Sequence, residues 1–509
     1  MQVGGVIGAR YPFPDTGLPR QTYDRRMTVQ QLSGLDAAFL QMETSRTFGH
    51  VSSLSIFERP ADPNFRPFEA FRAQVQNRLP LVDPLRRRLV EVPFGIDRPY
   101  WIADPDFDLE FHVCQIGLAP PGSVEQITEQ VARIVGRPLD RSRPLWELYV
   151  IEGLENGDFG VLTKIHHATI DGASGVEMMS ILLDAEPTAR PEEEPDDDWQ
   201  PDQVPSPIDL LSRASINLTR NPMRASRLAL RSMGELAKAA RRVDIANTLD
   251  AIQRRLRPPS PEQRDRLPML PRIAAPSTPF NKAITPHRRF AIGSVPLDDI
   301  KAIKNRLGVT LNDVVMAVCA GALRRYLDGC DSLPADPLVA MVPVSIRSGD
   351  EADKWTNRVF ALTASLPTNV DDPEERVRAM SVTMNAAKQR FEMMPAELIM
   401  DFTQFAMPAL ATRAIRLATS TRVVDRLNPP FNLVISNVPG PRQPLYAAGA
   451  RMKHYYPVST ITDGQGLNIT VQSYTDTLDF GLVSCRELVP DLWDLLQLCL
   501  DEVQILMKG

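Results

Sequence analysis

The chain contains no apolar run near the ~18 residues that a membrane-spanning helix requires. Its longest, Val314 to Leu323, has ten residues and lies between Asp313 and Arg324, as a buried helix would. Cysteine is scarce: Cys114, Cys319, Cys330, Cys485 and Cys499 are scattered over 509 residues, with no C-x-x-C pair. An odd, sparse set fits a reducing cytoplasm better than a disulfide scaffold. There is no large excess of one charge either. With 57 Lys and Arg against 63 Asp and Glu, the net charge is −6, which argues against a dedicated nucleic-acid binder. No G-x-S-x-G elbow, G-x-x-x-x-G-K-[ST] loop or H-E-x-x-H is present, so a covalent serine intermediate, a P-loop and a zincin site have no support. Residues 1–27 lack a charged segment followed by an apolar core, so no secretory signal is expected. Residues 1–26 read as an extension ahead of the first patterned segment.

What is there is ordinary for a folded protein, with 43% apolar and 24% charged side chains. The length suggests roughly two to four domains. Between Pro187 and Pro207 the chain turns rich in proline and acid, including Glu192, Glu193, Glu194, Asp196, Asp197 and Asp198. Such a stretch buries too little apolar surface to offset its ordering entropy and reads as an exposed linker. From Ile208 to Arg257 the charge inverts, with eleven cations, Arg213 to Arg257, against four acids. Apolar residues recur among them at near-helical spacing. Two readings stay open: a solvated helix pair leaning on the fold, or a basic amphipathic surface that docks on anionic lipid. A proline-rich loop then runs from Pro258 to Pro286.

The expected organisation is therefore an N-terminal extension (1–26), an N-terminal lobe (27–186), a linker with a basic helical segment (187–285) and a C-terminal lobe (286–509). Both lobes mix strands and helices, which gives an α/β fold. Ser123-x-x-Gln126 predicts a capped helix that ends at Gly136, and Thr310-x-x-Asp313 opens an apolar helix to about Leu327. Strand composition marks Phe159–His167, Leu338–Ile346, Phe431–Ser436 and Leu467–Tyr474.

The stretch that carries chemistry is Lys164-Ile165-His166-His167-Ala168-Thr169-Ile170-Asp171-Gly172. The protein has six histidines, and two are adjacent here, four residues before an Asp-Gly pair. Chance would produce H-H-x-x-x-D-G in roughly one of several thousand such chains. On a strand the two rings point to opposite faces, so they cannot both bind one ion, and no metal site is expected. Only one can face a given cavity. An imidazole is the natural group to take a hydroxyl proton near neutrality. Asp171 and Gly172 turn the chain into the next helix, and Asp171 either caps it or pairs with an arginine.

His166-His167-x-x-x-Asp171-Gly172 resembles the active-site motif of CoA-dependent acyltransferases related to chloramphenicol acetyltransferase and to peptide-synthetase condensation domains. Further stretches narrow the likeness to the bacterial wax ester synthase/diacylglycerol acyltransferase family. They are Leu32-Ser-Gly-Leu-Asp-Ala-Ala-Phe-Leu40, Val92-Pro-Phe-Gly95, Pro144-Leu-Trp146-Glu147, Asn312-Asp313, Val342-Pro-Val-Ser-Ile-Arg347 and Ser436-Asn-Val-Pro-Gly-Pro441. They run in family order from about residue 30 to the C-terminus.

The resemblance implies two chloramphenicol-acetyltransferase-like lobes, mixed sheets flanked by helices, with a tunnel at their interface. It implies an acyl-CoA:alcohol O-acyltransferase that makes triacylglycerol from diacylglycerol, or wax ester from a long-chain alcohol. Acyl-CoA is a co-substrate and no cofactor is implied. His167 would be the general base, with His166, Asp171 and Gly172 completing the motif. Asn312, Ser436, Asn437 and Thr460 are the candidate substrate-binding residues, with Ser459 beside them. Asp313 is a capping candidate, and Arg347 a candidate partner for Asp171. The expected location is the cytoplasm, at the surface of a membrane or lipid droplet. Two alternatives share the fold: a condensation-type enzyme using carrier-protein thioesters, and a lipid-droplet protein without activity.

Overall fold

Helices begin where the sequence offers caps. The structure, a computed structural model, describes residues 29–169, 178–179, 181–188, 200–217, 275–345, 359–392 and 429–509. In chain order its main helices are α1 (Gly34–Met42), α2 (Pro67–Arg78), α3 (Val124–Val135), α4 (Leu297–Leu307), α5 (Leu311–Gly329), α6 (Pro373–Glu392) and α7 (Leu492–Lys508). The Ser33 hydroxyl caps α1 by accepting the Asp36 N–H at 3.1 Å. Ser123 with Gln126, and Thr310 with Asp313, close the capping boxes expected for α3 and α5. Each satisfies backbone N–H groups that a first turn leaves without partners. Every residue from Val314 to Leu323 in α5 is buried, as an all-round apolar helix requires. At Gly321 the lack of a Cβ makes room for the buried Arg376–Glu502 ion pair that joins α6 to α7. Among the described residues no single helix is long and apolar enough to cross a membrane.

Beside a small three-stranded sheet, the strands of the two large sheets begin with β1 (His50–Phe57), β2 (Val113–Gly117), β3 (Trp146–Glu152) and β4 (Phe159–His166). Then follow β5 (Arg288–Pro296), β6 (Leu338–Ser345), β7 (Val359–Leu366) and β8 (Leu433–Val438). The last are β9 (Tyr446–Ala447), β10 (Ala450–Val458), β11 (Leu467–Tyr474) and β12 (Thr477–Cys485). They form two six-stranded mixed sheets, ordered β9-β10-β1-β4-β3-β2 and β7-β6-β8-β11-β12-β5. Of the strands expected from sequence, β11 has the expected bounds and β8 lies two residues later. β4 ends at His166, one residue early, so His167 stands in the turn beyond it.

The sheets do not divide at the linker. β9 and β10 belong by sequence to the C-terminal part, yet they extend the first sheet, with β10 antiparallel to β1. Without them β1 would be an edge with unpaired peptide groups. α3 lies between the sheets. Its Ile127, Val131, Ile134 and Val135 share one core with Leu54 and Leu162 of the first sheet and Phe290, Ile292 and Val483 of the second. Each such buried aliphatic contributes about 1.5–3 kcal/mol of transfer free energy.

Both sheets belong to one compact unit, the described residues within Met1–Leu89, Trp101–Asp202 and Ile273–Gly509. A second unit comprises those within Val90–Tyr100 and Gln203–Arg272. In it, residues 207–217 are helical, and Asn217 Nδ2 donates to Asp97 at 2.8 Å. Of the basic stretch expected over 208–257, residues 218–257 lie outside the described residues.

Candidate active site

His166 ends β4 directly opposite His50 of β1, so both side chains lie on the sheet face that packs on α3. His50 Nε2 donates to Val135 O at the end of α3, at 3.0 Å. His166 is buried and makes a 3.3 Å contact between its Nε2 and Glu43 Oε1, electrostatic rather than a well-aligned hydrogen bond. Its Nδ1 accepts the Ala168 N–H at 2.9 Å. A backbone N–H can only donate, so the neutral ring carries its proton on Nε2, toward Glu43.

His167 is half-buried rather than sealed in the core. The Phe39 ring from α1 stacks on it, with centroids 4.8 Å apart and planes 16° from parallel. Its N–H donates to Gly49 O at 2.9 Å, carrying the β1–β4 ladder one step past the strand. Gly49 is a glycine because a Cβ there would come within 2.5 Å of His166 Nε2. His166 is thus enclosed beside a carboxylate, whereas His167, which stands in the turn beyond the strand, is half-buried.

Electrostatics differ sharply among these groups. Burial pushes the Glu43 carboxyl up, but His166, the Gly49 N–H and Arg141 outweigh it, and its pKa falls to about 2. Glu43 is therefore an anion at neutral pH. Burial, with Lys164 and His166 nearby, pushes His50 well below the ordinary imidazole value, so His50 is neutral. Lys164 is buried beside Glu147, with Nζ 3.2 Å from Oε2, and burial lowers its pKa from the usual ammonium value.

The other sequence candidates fall into two groups. The Thr460 hydroxyl donates to Phe48 O at 2.7 Å, one residue before Gly49. Asn468 Nδ2 donates to Thr460 O, Thr470 Oγ1 donates to Asn468 Oδ1, and Ser459 and Thr470 hydroxyls lie 2.8 Å apart. Ser436 is the β8 partner of Thr470 and shares its sheet face. Thr460, Ser459 and Ser436 thus belong to one polar seam that reaches the strand beside the histidines. Asn312 and Asn437 meet elsewhere, at the start of α5, where Asn437 Nδ2 donates to Asn312 Oδ1 at 3.3 Å. Asp313 accepts from Thr310 N at 3.0 Å and from the Ser381 hydroxyl at 3.1 Å, which is a capping role. Asp171, Gly172 and Arg347 lie outside the described residues.

Sequence reasoning missed four residues: Phe39, Glu43, Gly49 and Arg141. Phe39 lies inside the Leu32–Leu40 stretch, and Glu43 follows it by three residues. Nothing local distinguishes this glutamate from the other acids in the chain. A small cavity between the sheets is lined by Phe48, His50, Arg288, Val458, Ser459 and Thr460, among others. Among the described residues, no group of three or more His, Cys, Asp or Glu is placed to hold a metal ion.

The wax ester synthase/diacylglycerol acyltransferase catalytic-domain profile matches residues 32–315, and the C-terminal-domain profile of the same family matches residues 355–506. A probable diacylglycerol O-acyltransferase of Mycobacterium tuberculosis is 39% identical over 470 residues, covering 91% of this chain and 95% of its own length. The solved wax ester synthase/diacylglycerol acyltransferase of Marinobacter aquaeolei VT8 superposes with a TM-score of 0.65 at 30% identity, covering 94% of this chain and 98% of that one. The first condensation domain of the calcium-dependent antibiotic synthetase superposes at 0.51 with 16% identity, over 95% of this chain and 96% of its own, a likeness of fold alone.

Proposed function

The chain belongs to the wax ester synthase/diacylglycerol acyltransferase family, and from that premise we propose that it acylates diacylglycerol from acyl-CoA to give triacylglycerol, with long-chain alcohols as second acceptors. The observation that carries the reading is the His167 ring: partly open, held flat against Phe39, and anchored through its backbone to Gly49. His167 takes the proton of the acceptor hydroxyl as its oxygen attacks the thioester carbonyl. The new C–O bond forms, the tetrahedral oxyanion collapses, and the C–S bond breaks. The imidazolium then protonates the departing thiolate, so ester and CoA leave and the base is regenerated. One base in a fixed pose suffices, and no acyl-enzyme is needed. His166 acts behind it as a positioning residue. In this reading Ser436 and Thr460 border the path of the substrates between the sheets, while Asn312 and Asn437 pair at the start of α5, on the other face of β8.

The test is direct. Purified protein receives one long-chain acyl-CoA and a panel of acceptors; thiol release is followed and the neutral lipids are separated. Diacylglycerol-dependent thiol release with triacylglycerol as product supports the reading. Release that no alcohol accelerates rejects it.

Both substrates are poorly soluble in water, and the proposal includes peripheral attachment in the cytoplasm to a membrane or lipid-droplet surface. Two features support this. Phe94, Ile208 and Ile216 of the second unit are 86%, 75% and 51% exposed, and the stretch from Ile208 to Arg257 is strongly basic. Flotation with vesicles is expected to retain the protein on anionic lipid and release it as salt rises. Retention that ignores both lipid charge and salt counts against it.

A further inference from the structure

Glu43 occupies an awkward position. It is the C-cap of α1, and a carboxylate at a helix C-terminus faces the negative end of the helix dipole. It is also mostly buried, its side chain 11% exposed. Arg141 compensates for both. Its Nη2 donates to Leu40 O at 2.6 Å and to Glu43 Oε2 at 2.7 Å, and its Nε lies 3.3 Å from the same oxygen. Oε1 is thereby left for the histidine side, where it accepts the Gly49 N–H at 2.8 Å and faces His166 Nε2.

From this oxygen two paths lead to the peptide groups flanking His167. One runs through Gly49, whose carbonyl holds the His167 N–H. The other runs through His166, whose Nδ1 holds the Ala168 N–H. Were His166 to lose its Nε2–H tautomer, that second hold would fail, because Nδ1 would carry a proton and could no longer accept. α1 also supplies Phe39, so a single helix fixes the His167 ring face and the backbone on either side of it.

We propose that Glu43, clamped by Arg141, is a positioning residue that sets the pose of His167 by holding Gly49 and the Nε2–H tautomer of His166. This rests on the reading of His167 as the general base. A glutamine at 43 offers one acceptor oxygen where the carboxylate offers two, so it serves Gly49 or Arg141 but not both.

The experiment is steady-state kinetics on Glu43→Gln in the wild-type and His167→Ala backgrounds, with one long-chain acyl-CoA and diacylglycerol. Thermal unfolding checks each protein. In the wild-type background kcat is expected to fall roughly 10- to 100-fold, while KM for acyl-CoA stays within about threefold, because pose rather than binding is lost. In the His167→Ala background Glu43→Gln is expected to cost nothing further. An unchanged kcat in folded Glu43→Gln overturns the proposal, as does a further loss of equal size on top of His167→Ala. If Glu43→Gln does not fold, Arg141→Ala takes its place: a fall in kcat at constant KM supports the clamp, and an unchanged kcat overturns it. A His167→Ala protein as active as wild type would overturn the general-base reading as well. An inactive His167→Ala beside a fully active Glu43→Gln overturns this proposal alone.

Discussion

The first sheet, at its histidine end, and the second sheet, around α5, are held by different forces. The turn after β4 is fixed by directed polar contacts: Glu43 to Gly49, Gly49 to His167, His166 to Ala168, and Thr460 to Phe48. The second sheet wraps α5 in an apolar core that includes Val318, Leu323, Ile435, Ile469 and Phe480, all wholly buried. Directed contacts set angles and protonation states; each contributes about 0.5–1.5 kcal/mol when both groups are neutral, and more where an ionised group such as Glu43 takes part. Apolar burial contributes stability and is indifferent to which atom carries a proton. Chemistry and stability should therefore be separable by mutation.

The largest effect is expected on the chemical side. His167→Ala should lower turnover by about 10²–10⁴ while thermal unfolding stays at the wild-type temperature, since a half-buried ring contributes little to the core. A large drop in unfolding temperature would place His167 in the structural class instead. The mirror experiment is Leu323→Ala in α5, expected to destabilise by about 2–5 kcal/mol in denaturant titration. Its kcat on the remaining folded protein should be unchanged, and a parallel loss of kcat would show that the second sheet also shapes the site.

Acid sharpens the contrast. The Glu43 pKa lies near 2, against 4.5 for an ordinary glutamate. A folded-state pKa lowered in this way contributes stability that is present above about pH 4.5 and lost as pH falls toward 2, on the order of 3 kcal/mol in all. The stability gap between wild type and Glu43→Gln should accordingly close between about pH 4.5 and 2, measured by urea titration at each pH. A gap that does not change over that window would show the carboxylate to be unpaired in solution. The smallest effect concerns Gly49→Ala. The added methyl meets His166 Nε2, and the forced shift should reduce kcat on the order of 10-fold with a destabilisation of about 1–3 kcal/mol. Full activity would mean that His166 has room to yield.

Much of this architecture is legible in the sequence. The Ser123 and Thr310 boxes opened α3 and α5 where expected, because capping is chemistry between residues three apart. The ten-residue apolar run proved to be a core helix for the same local reason. His166 and His167 were found by rarity and adjacency. β4 is one residue shorter than its alternation predicts, since the alternation continues through His167 while the pairing of β1 with β4 stops at His166. Assigning the chain beyond 286 wholly to a C-terminal lobe misses β9 and β10, which join the first sheet through the pairing of β10 with β1 across some four hundred residues. Strand composition carries no record of its partner.

By itself, then, the order of residues determined the capped helices α3 and α5, four of the strands and the adjacent histidine pair, because periodicity, capping and residue type act over a few neighbours. Only the tertiary structure decided what surrounds that pair. Arg141 reaches Glu43 across 98 positions, and His167 meets Phe39 and Gly49 from equally remote parts of the chain. Such contacts arise because packing α1 against the ends of β1 and β4 brings their termini together, and no local pattern encodes which carboxylate will be there when they meet.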